Sequence, residues 1–212
     1  MISGLNTTLS RRYQVCLIVI AVLALYYPAI FAEVSILDDR EAITNLFNLD
    51  SFDIGSMFFP RATDGGYYRP FLGISYLIDR FWWFLDPHIM HFENILMHLA
   101  NSLLVYAIGI KLCRRETGML PLAGALLFAL HPINTESINW ISGRTDPMAG
   151  MFVLAALYFV LMYREQQRKM YLVAASVLTL CGIFSKETAF GFFIGAFFIL
   201  SAEQEKKHNN LN

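Results

Sequence analysis

Residues 11–32 read RRYQVCLIVIAVLALYYPAIFA, two arginines followed by a continuous apolar run. A helix needs about 20 mainly apolar residues to cross a bilayer, and the run from Tyr13 to Ala32 supplies them. The pair Tyr26 and Tyr27 near its end is typical of a membrane interface. A cleaved signal peptide is the alternative, but its apolar core would be shorter, with small residues at a cleavage site. The stretch therefore predicts a retained membrane-spanning helix.

The composition agrees with a membrane protein. The 212 residues are 56% hydrophobic and 16% charged, whereas soluble domains carry about 25% charged residues. A net charge of -1 offers no basic field for nucleic acid, so we expect no nucleic-acid partner. Cys16, Cys113 and Cys181 lie far apart, which is neither a disulfide framework nor metal-ligand spacing.

Further apolar segments lie at 94–113, 119–130, 148–163, 170–184 and 189–201. We therefore predict an all-α polytopic membrane protein with about six transmembrane helices, in which residues 1–212 form one domain and residues 33–93 form a large outer loop. Several segments have fewer than 18 residues, so a soluble helical bundle is the alternative.

Charges are distributed unequally between the two predicted sides of the membrane. If the chain crosses the membrane at each segment in turn, the side of the termini carries ten Lys and Arg residues and four Asp and Glu residues. The other side carries six Lys and Arg residues and thirteen Asp and Glu residues. By the positive-inside rule both termini are cytoplasmic.

The first outer loop contains adjacent carboxylates at Asp38 and Asp39, and a cation at Arg69. Ile43, Leu46 and Phe47 have helical spacing, which predicts a helix on the membrane surface. Residues 72–85 predict a second surface or re-entrant helix, whose aromatic residues 81–84 we interpret as membrane anchors.

Asp86 and Pro87 then predict the cap and first position of the next helix. On that helix His91, Asn94 and His98 share one stripe, which has to face protein or a wet cavity because polar groups in lipid are unfavourable. The stripe is compatible with a metal site or with structural or substrate hydrogen bonding. A divalent cation is thus an open alternative, and no other cofactor is indicated.

The later outer loops add more polar residues. Residues 131–147 contain His131, Glu136, Arg144 and Asp146. Asp146 fits a helix cap, with Pro147 following, as well as it fits a catalytic role. The third loop contains Lys186 and Glu187, which fit either a solvated turn or a cavity wall.

All these residues are predicted to lie at the outer ends of the helices, at headgroup depth. Cations there compensate the charge of a phosphate, and a carboxylate takes the proton from an attacking hydroxyl. The pattern therefore indicates chemistry on a lipid-borne phosphate.

Six motifs resemble, in order, the N-terminal membrane region of transmembrane O-mannosyltransferases that carry tetratricopeptide repeats, which are GT-C glycosyltransferases. The motifs are DDREAI at 38–43, YRP at 68–70, H-x-x-N-x-x-x-H at 91–98, HPINTE at 131–136, GRTD at 143–146 and SKE at 185–187.

The resemblance implies an inverting transfer of a sugar, with mannose the family's suggestion, from a polyprenyl phosphate to a protein or glycan hydroxyl on the noncytoplasmic side of the bacterial inner membrane or endoplasmic reticulum. Asp38 maps onto the catalytic base, with Asp39 beside it. Arg69, Arg144 and Lys186 are candidate ligands of the donor phosphate. The remaining candidates line the cavity: His91, Asn94, His98, His131, Glu136, Asp146 and Glu187.

Members of that family continue into more membrane helices, whereas this chain ends after the sixth segment. We therefore expect a truncated chain or a subunit with a further membrane partner. The alternatives are a noncatalytic component that binds or moves lipid-linked sugar, and a transporter. Transporters usually place charges near the bilayer midplane, whereas here the charges lie at one face.

Overall fold

A computed structural model of the chain describes residues 9–35, 39–40, 43–44, 51–59, 67–113, 119–192 and 194–195. These residues form α-helices, short 3-10 helices and the turns between them, and the ranges just given contain no β-strand. The predicted all-α fold is therefore confirmed.

The α-helices with bounds inside the described ranges are α1 (Arg11–Tyr26), α2 (Ile54–Phe58), α3 (Pro70–Trp82), α4 (Pro87–Cys113), α5 (Met119–Ala129), α6 (Thr135–Asn139), α7 (Thr145–Gln166) and α8 (Lys169–Ile183). Short 3-10 helices lie at Tyr27–Phe31, Pro132–Asn134, Ser142–Arg144 and Glu187–Phe190.

Helix α4 is the centre of the bundle, with α1, α5 and α7 packed against it. Its side chains Ile95 and Tyr106 are buried together with Ile18 of α1 and Leu122 of α5. The crossing with α5 is close: a Cβ atom at Gly109 would lie 3.2 Å from the Cα atom of Pro121. Burial of this apolar surface fixes the helices that carry the polar residues at their ends.

Helices α7 and α8 form an antiparallel hairpin. Gln167 ends α7 in the left-handed region, with φ of 56°, and α8 begins two residues later. Such a residue at the end of a helix reverses the chain sharply. The start of α7 is therefore brought back beside the end of α8.

Among the described residues, three helical segments are long and apolar enough to cross a membrane, namely Arg11–Phe31, Pro87–Cys113 and Ser142–Gln166. Helices α5 and α8 have 11 and 15 residues, about 17 Å and about 22 Å at 1.5 Å per residue. The chain is an all-α membrane protein, but the count of six spans is not confirmed. Most of the predicted segment 189–201 lies outside the described residues.

The predicted surface elements are partly described. The helix expected over 72–85 is present as α3, whereas only residues 43–44 of the predicted amphipathic helix are described. Asp86 caps α4 as predicted, because its carboxylate accepts a hydrogen bond from the His88 amide at 2.9 Å. The alternative that Asp146 caps the helix is wrong, since α7 already begins at Thr145 and no side-chain hydrogen bond caps it.

Candidate functional site

Two ion pairs lie at the end of the bundle where α3 and α7 begin and α8 ends. The Arg69 guanidinium binds the Glu187 carboxylate through both oxygens, with Nη2 to Oε1 at 2.7 Å and Nε to Oε2 at 3.2 Å. The Lys186 ammonium binds Asp146 Oδ1 at 2.5 Å. We call Arg69, Asp146, Lys186 and Glu187 the charge cluster.

The local fold explains why these four residues meet. Arg69 directly precedes Pro70, the first residue of α3, where proline is favoured because that position needs no amide hydrogen. The next amide, that of Phe71, donates to the Phe184 carbonyl oxygen at 3.3 Å. This bond ties the start of α3 to the chain just before Lys186.

Aromatic rings support the charge cluster. Phe71 and Phe184 stack with ring planes 12° apart, and the Tyr68 ring meets Phe184 edge-on. The Arg69 guanidinium lies 4.3 Å from the centroid of the exposed Tyr67 ring. An arginine held over an aromatic face gains electrostatic attraction from the ring. Arg69 is therefore oriented by both a carboxylate and an aromatic ring.

The cluster remains accessible to solvent. The exposed fractions are 16% for the Arg69 side chain and 56% for Glu187, and 22% for Lys186 and 51% for Asp146. The hydrogen bond from Arg69 lowers the pKa of the Glu187 carboxyl, so Glu187 is charged at neutral pH.

Asp39 has a different environment from that predicted for a catalytic carboxylate. Its side chain is fully buried and accepts hydrogen bonds from three backbone amides, those of Ser35 at 3.2 Å, Ile141 at 3.2 Å and Ser142 at 2.7 Å. Both oxygens are occupied, so Asp39 joins the first loop to the second. Asp38, the predicted base, lies outside the described residues.

Arg144 is also fully buried. Its Nε donates to Asn94 Oδ1 at 3.2 Å, and Nη1 donates to Asp79 Oδ2 at 2.5 Å and Ser75 Oγ at 3.3 Å. Its Nη2 donates to the Met90 carbonyl at 3.1 Å and lies 3.0 Å from Glu93 Oε2. Four of these contacts are hydrogen bonds and the fifth, to Glu93, is an ion pair, so the guanidinium with its five N–H donors is surrounded by protein acceptors.

This geometry corrects the interpretation of Arg144 as a ligand of a donor phosphate. Its guanidinium has no exposed surface and is surrounded by protein acceptors, whereas Arg69 and Lys186 are both partly exposed. We call Arg144 and its partners Ser75, Asp79, Met90, Glu93 and Asn94 the Arg144 network. The network holds α3 and α4 against the turn that precedes α7.

The carboxylate partners of Arg144 were not among the predicted site residues. Asp79 lies on α3, with its side chain fully buried, and Glu93 lies nearly two turns into α4. Burial raises the pKa of Asp79, and Arg144 opposes that effect. Burial also raises the pKa of the neighbouring Tyr76 to about 12. The sequence offered one signal, because Asp79 and Arg80 are the only charged residues within α3.

The predicted polar stripe on α4 is buried against protein. Asn94 Nδ2 donates to the Trp140 carbonyl at 2.7 Å, and the His98 ring nitrogen Nε2 lies 2.9 Å from the Ala129 carbonyl oxygen. Neither ring nitrogen of the buried His91 has a hydrogen-bond partner among the described residues. Two members of the stripe thus have structural hydrogen bonds.

A metal site was the alternative for this stripe. Within the described ranges no group of three or more His, Cys, Asp or Glu side chains stands together as metal ligands do. The cation requirement stays an open prediction.

The turn after α5 holds the remaining candidates. His131 Nδ1 accepts a hydrogen bond from the Ile133 amide at 3.2 Å, and Glu136 is exposed on α6. A further turn brings Gly143 against this helix, where a Cβ atom at Gly143 would lie 2.9 Å from the Cα atom of Ser137. Only glycine fits so close an approach of two backbones.

A cavity of about 340 Å³ lies beside this turn, between the end of α1 and α6. Its polar lining residues are Tyr26, Thr135 and Asn139, and none of its lining residues is charged. The cavity therefore lacks a counter-charge for phosphate, and the charge cluster is the better candidate for an anionic group.

Fold and site together define a class, an all-helical membrane protein with a solvent-accessible set of paired charges at one end of its bundle. Residues 88–211 match the family described as dolichyl-phosphate-mannose-protein mannosyltransferase, and this match covers more than half of the chain. The chain belongs to this family. The matched range includes Asp146, Lys186 and Glu187, whereas Asp38, Asp39 and Arg69 precede it.

Known relatives agree with this assignment. Protein O-mannosyl-transferase TMTC1 of Homo sapiens is 29% identical over 162 residues, which cover 67% of this chain and 18% of the relative. Protein O-mannosyl-transferase TMTC3 of Mus musculus is 30% identical over 156 residues, which cover 68% of this chain and 16% of the relative. Protein O-mannosyl-transferase tmtc2 of Xenopus laevis is 37% identical over 92 residues, which cover 42% of this chain and 10% of the relative.

The chain therefore spans less than a fifth of the length of these relatives. It is similar to their membrane region, as the six motifs predicted. No solved structure matches the chain.

Proposed function

We propose that the chain forms part of a protein O-mannosyltransferase and binds the phosphate of a lipid-linked mannose donor at the charge cluster. The names of the family and of the relatives supply the reaction class. The observation that carries the proposal is the meeting of Arg69 and Lys186, from different parts of the chain, at one accessible end of the bundle.

The donor class follows from the cations. A polyprenyl phosphate sugar is a phosphodiester with one negative charge, which Arg69 and Lys186 compensate through charge-assisted hydrogen bonds. Arginine also binds phosphate oxygens in pairs, as Arg69 binds the two oxygens of Glu187. The partners are thus a polyprenyl phosphate donor and a protein hydroxyl.

The reaction needs a base and a stabilised leaving group. A carboxylate takes the proton of a Ser or Thr hydroxyl, the hydroxyl oxygen attacks C1 of mannose, and the bond from C1 to the phosphate oxygen breaks with its electron pair leaving on the phosphate. We assign the base to Asp38, because Asp39 is committed to three backbone amides. Arg69 and Lys186 stabilise the departing phosphate.

Charge distribution supports the placement of the site. Basic residues concentrate on the side of the termini, which by the positive-inside rule is cytoplasmic. The charge cluster then faces the noncytoplasmic side of the endoplasmic reticulum or bacterial inner membrane. A further membrane subunit, or more of the same polypeptide, would supply the rest of the acceptor site.

The test is mannosyl transfer from radiolabelled dolichyl phosphate mannose to an acceptor peptide, or to water, by the purified chain in detergent. Asp38→Asn should lower turnover about 10²- to 10⁴-fold without lowering the yield of folded protein. Glu33→Gln, at an exposed position just after the 3-10 helix Tyr27–Phe31, serves as the control for removing one carboxylate from the same end of the bundle. Unchanged turnover in Asp38→Asn would exclude Asp38 as the base.

A noncatalytic subunit is the second candidate, and the environment of Asp39 favours it. Because Asp39 is buried and fully hydrogen-bonded, base catalysis depends on Asp38 alone. Saturable donor binding, with no turnover even when a full-length relative supplies the missing segments, would support that candidate over the enzyme.

A further inference from the structure

Each cation of the charge cluster already has an anionic partner from the same chain. Glu187 meets Arg69 as a two-oxygen anion, with the geometry that a phosphate would offer, and Asp146 meets Lys186 with one oxygen. A lipid phosphate that binds these cations therefore competes with two carboxylates.

Such an exchange is energetically easy. Both carboxylate side chains are about half exposed, so water can solvate them when they leave their cations. Ion pairs at solvent-exposed positions contribute little to stability, because water and salt screen them. By contrast, the fully buried pair of Arg144 with Asp79 has no solvent to replace a lost partner.

The charge of the phosphate changes during the proposed reaction. The donor is a phosphodiester with one negative charge, whereas the product is a phosphomonoester that carries about -1.5 to -2 at pH 7. Cations alone would bind this product more tightly than the donor. A displaced carboxylate that stays close repels the product more than the donor, because the repulsion increases with the charge of the phosphate.

We infer that Glu187 and Asp146 determine specificity by competing with lipid phosphate for Arg69 and Lys186, holding the cations in the free protein and favouring release of the more highly charged product. This inference rests on the proposed function. It assigns to the two carboxylates a role opposite to that of the cations beside them.

The test is equilibrium binding of radiolabelled dolichyl phosphate mannose and of dolichyl phosphate to the purified chain in detergent. Glu187→Gln or Asp146→Asn should tighten binding of dolichyl phosphate mannose about two- to fivefold, and should tighten binding of dolichyl phosphate by a larger factor. In the double variant Arg69→Gln/Glu187→Gln the effect of Glu187→Gln should disappear, because the cation it competes for is gone.

A matched control lies at the opposite end of the bundle. Lys111 binds Glu165 at 2.5 Å, with exposed fractions of 23% and 46%, nearly the values of the pair Lys186 and Asp146. Glu165→Gln removes the same kind of ion pair and should change neither affinity.

The outcomes separate the two levels of the hypothesis. Weaker or unchanged binding in Glu187→Gln and Asp146→Asn would overturn the inference, and so would equal tightening for donor and product. If Arg69→Gln and Lys186→Gln also leave both affinities unchanged, then the proposed donor site itself fails.

Discussion

The Arg144 network and the charge cluster lie at the same end of the bundle, but they differ in how far their charged side chains are exposed to solvent. In the network the guanidinium and the Asp79 carboxylate are both fully buried, and the guanidinium donates four hydrogen bonds within the protein. In the charge cluster the partners are partly exposed and paired one to one. Buried charges thus build the framework, and exposed charges remain available to a ligand.

The comparison is tested most severely by removing Arg144. Arg144→Met leaves two carboxylates without their cation, so we expect the free energy of unfolding to fall by about 3–5 kcal/mol, measured by denaturant unfolding in detergent micelles. Arg69→Met, at the charge cluster, should lower it by no more than about 1 kcal/mol. Equal losses in the two variants would remove the distinction between framework and cluster.

Asp39 tests whether the framework extends to the first loop. Asp39→Asn keeps the size of the side chain but removes a charge that accepts three amide hydrogen bonds. We expect unfolding to become easier by about 1–3 kcal/mol under the same conditions. Glu136→Gln, on the exposed face of α6, is the control. A stable Asp39→Asn variant with abolished turnover would instead return Asp39 to the catalytic machinery.

The cations of the charge cluster should show the reverse behaviour. Arg69→Gln or Lys186→Gln should weaken binding of dolichyl phosphate mannose about tenfold, which is the loss of one charge-assisted hydrogen bond, while thermal stability changes little. Lys111→Gln, which breaks the ion pair at the other end of the bundle, should bind donor normally. Donor binding that is insensitive to Arg69 and Lys186 would assign the phosphate to another part of the chain.

Acid should weaken the pair of Arg69 and Glu187 in a predictable direction. The pKa of Glu187 lies below its ordinary value of 4.5 because Arg69 favours the carboxylate. Its contribution to stability is therefore present above pH 4.5 and is lost as the pH falls through the lower, folded-state pKa. The small stability difference between the wild-type chain and Glu187→Gln should shrink between pH 7 and pH 3. A difference that grows in acid would contradict this assignment.

Local patterns in the sequence predicted much of this architecture. Apolar length placed the helices, and the pair Asp86 and Pro87 marked the start of α4, because caps depend on neighbouring residues. The charged residues of the cluster were also identified, since charges at the ends of apolar segments stand out against their neighbours.

Tertiary contacts were beyond such patterns. Asp79 is 65 positions from Arg144 in the chain, and only the packing of α3 against the turn before α7 brings them together. In the second loop, the partners of Asp39 are the backbone amides of Ile141 and Ser142. Nearly every residue has a backbone amide, so no residue type in the sequence marks these partners. Arg144 was consequently predicted to bind phosphate and Asp39 to lie beside the catalytic base, whereas in the fold both are buried and hold neighbouring segments together.

The brevity of α5 and α8 has a consequence for the surrounding lipid. A hydrocarbon layer about 30 Å thick does not fit beside spanning helices of this length unless the bilayer thins locally. Because α8 ends just before Lys186, local thinning brings phospholipid headgroups closer to the ion pairs of the charge cluster. A membrane-anchored sugar phosphate would then meet Arg69 and Lys186 without leaving its leaflet.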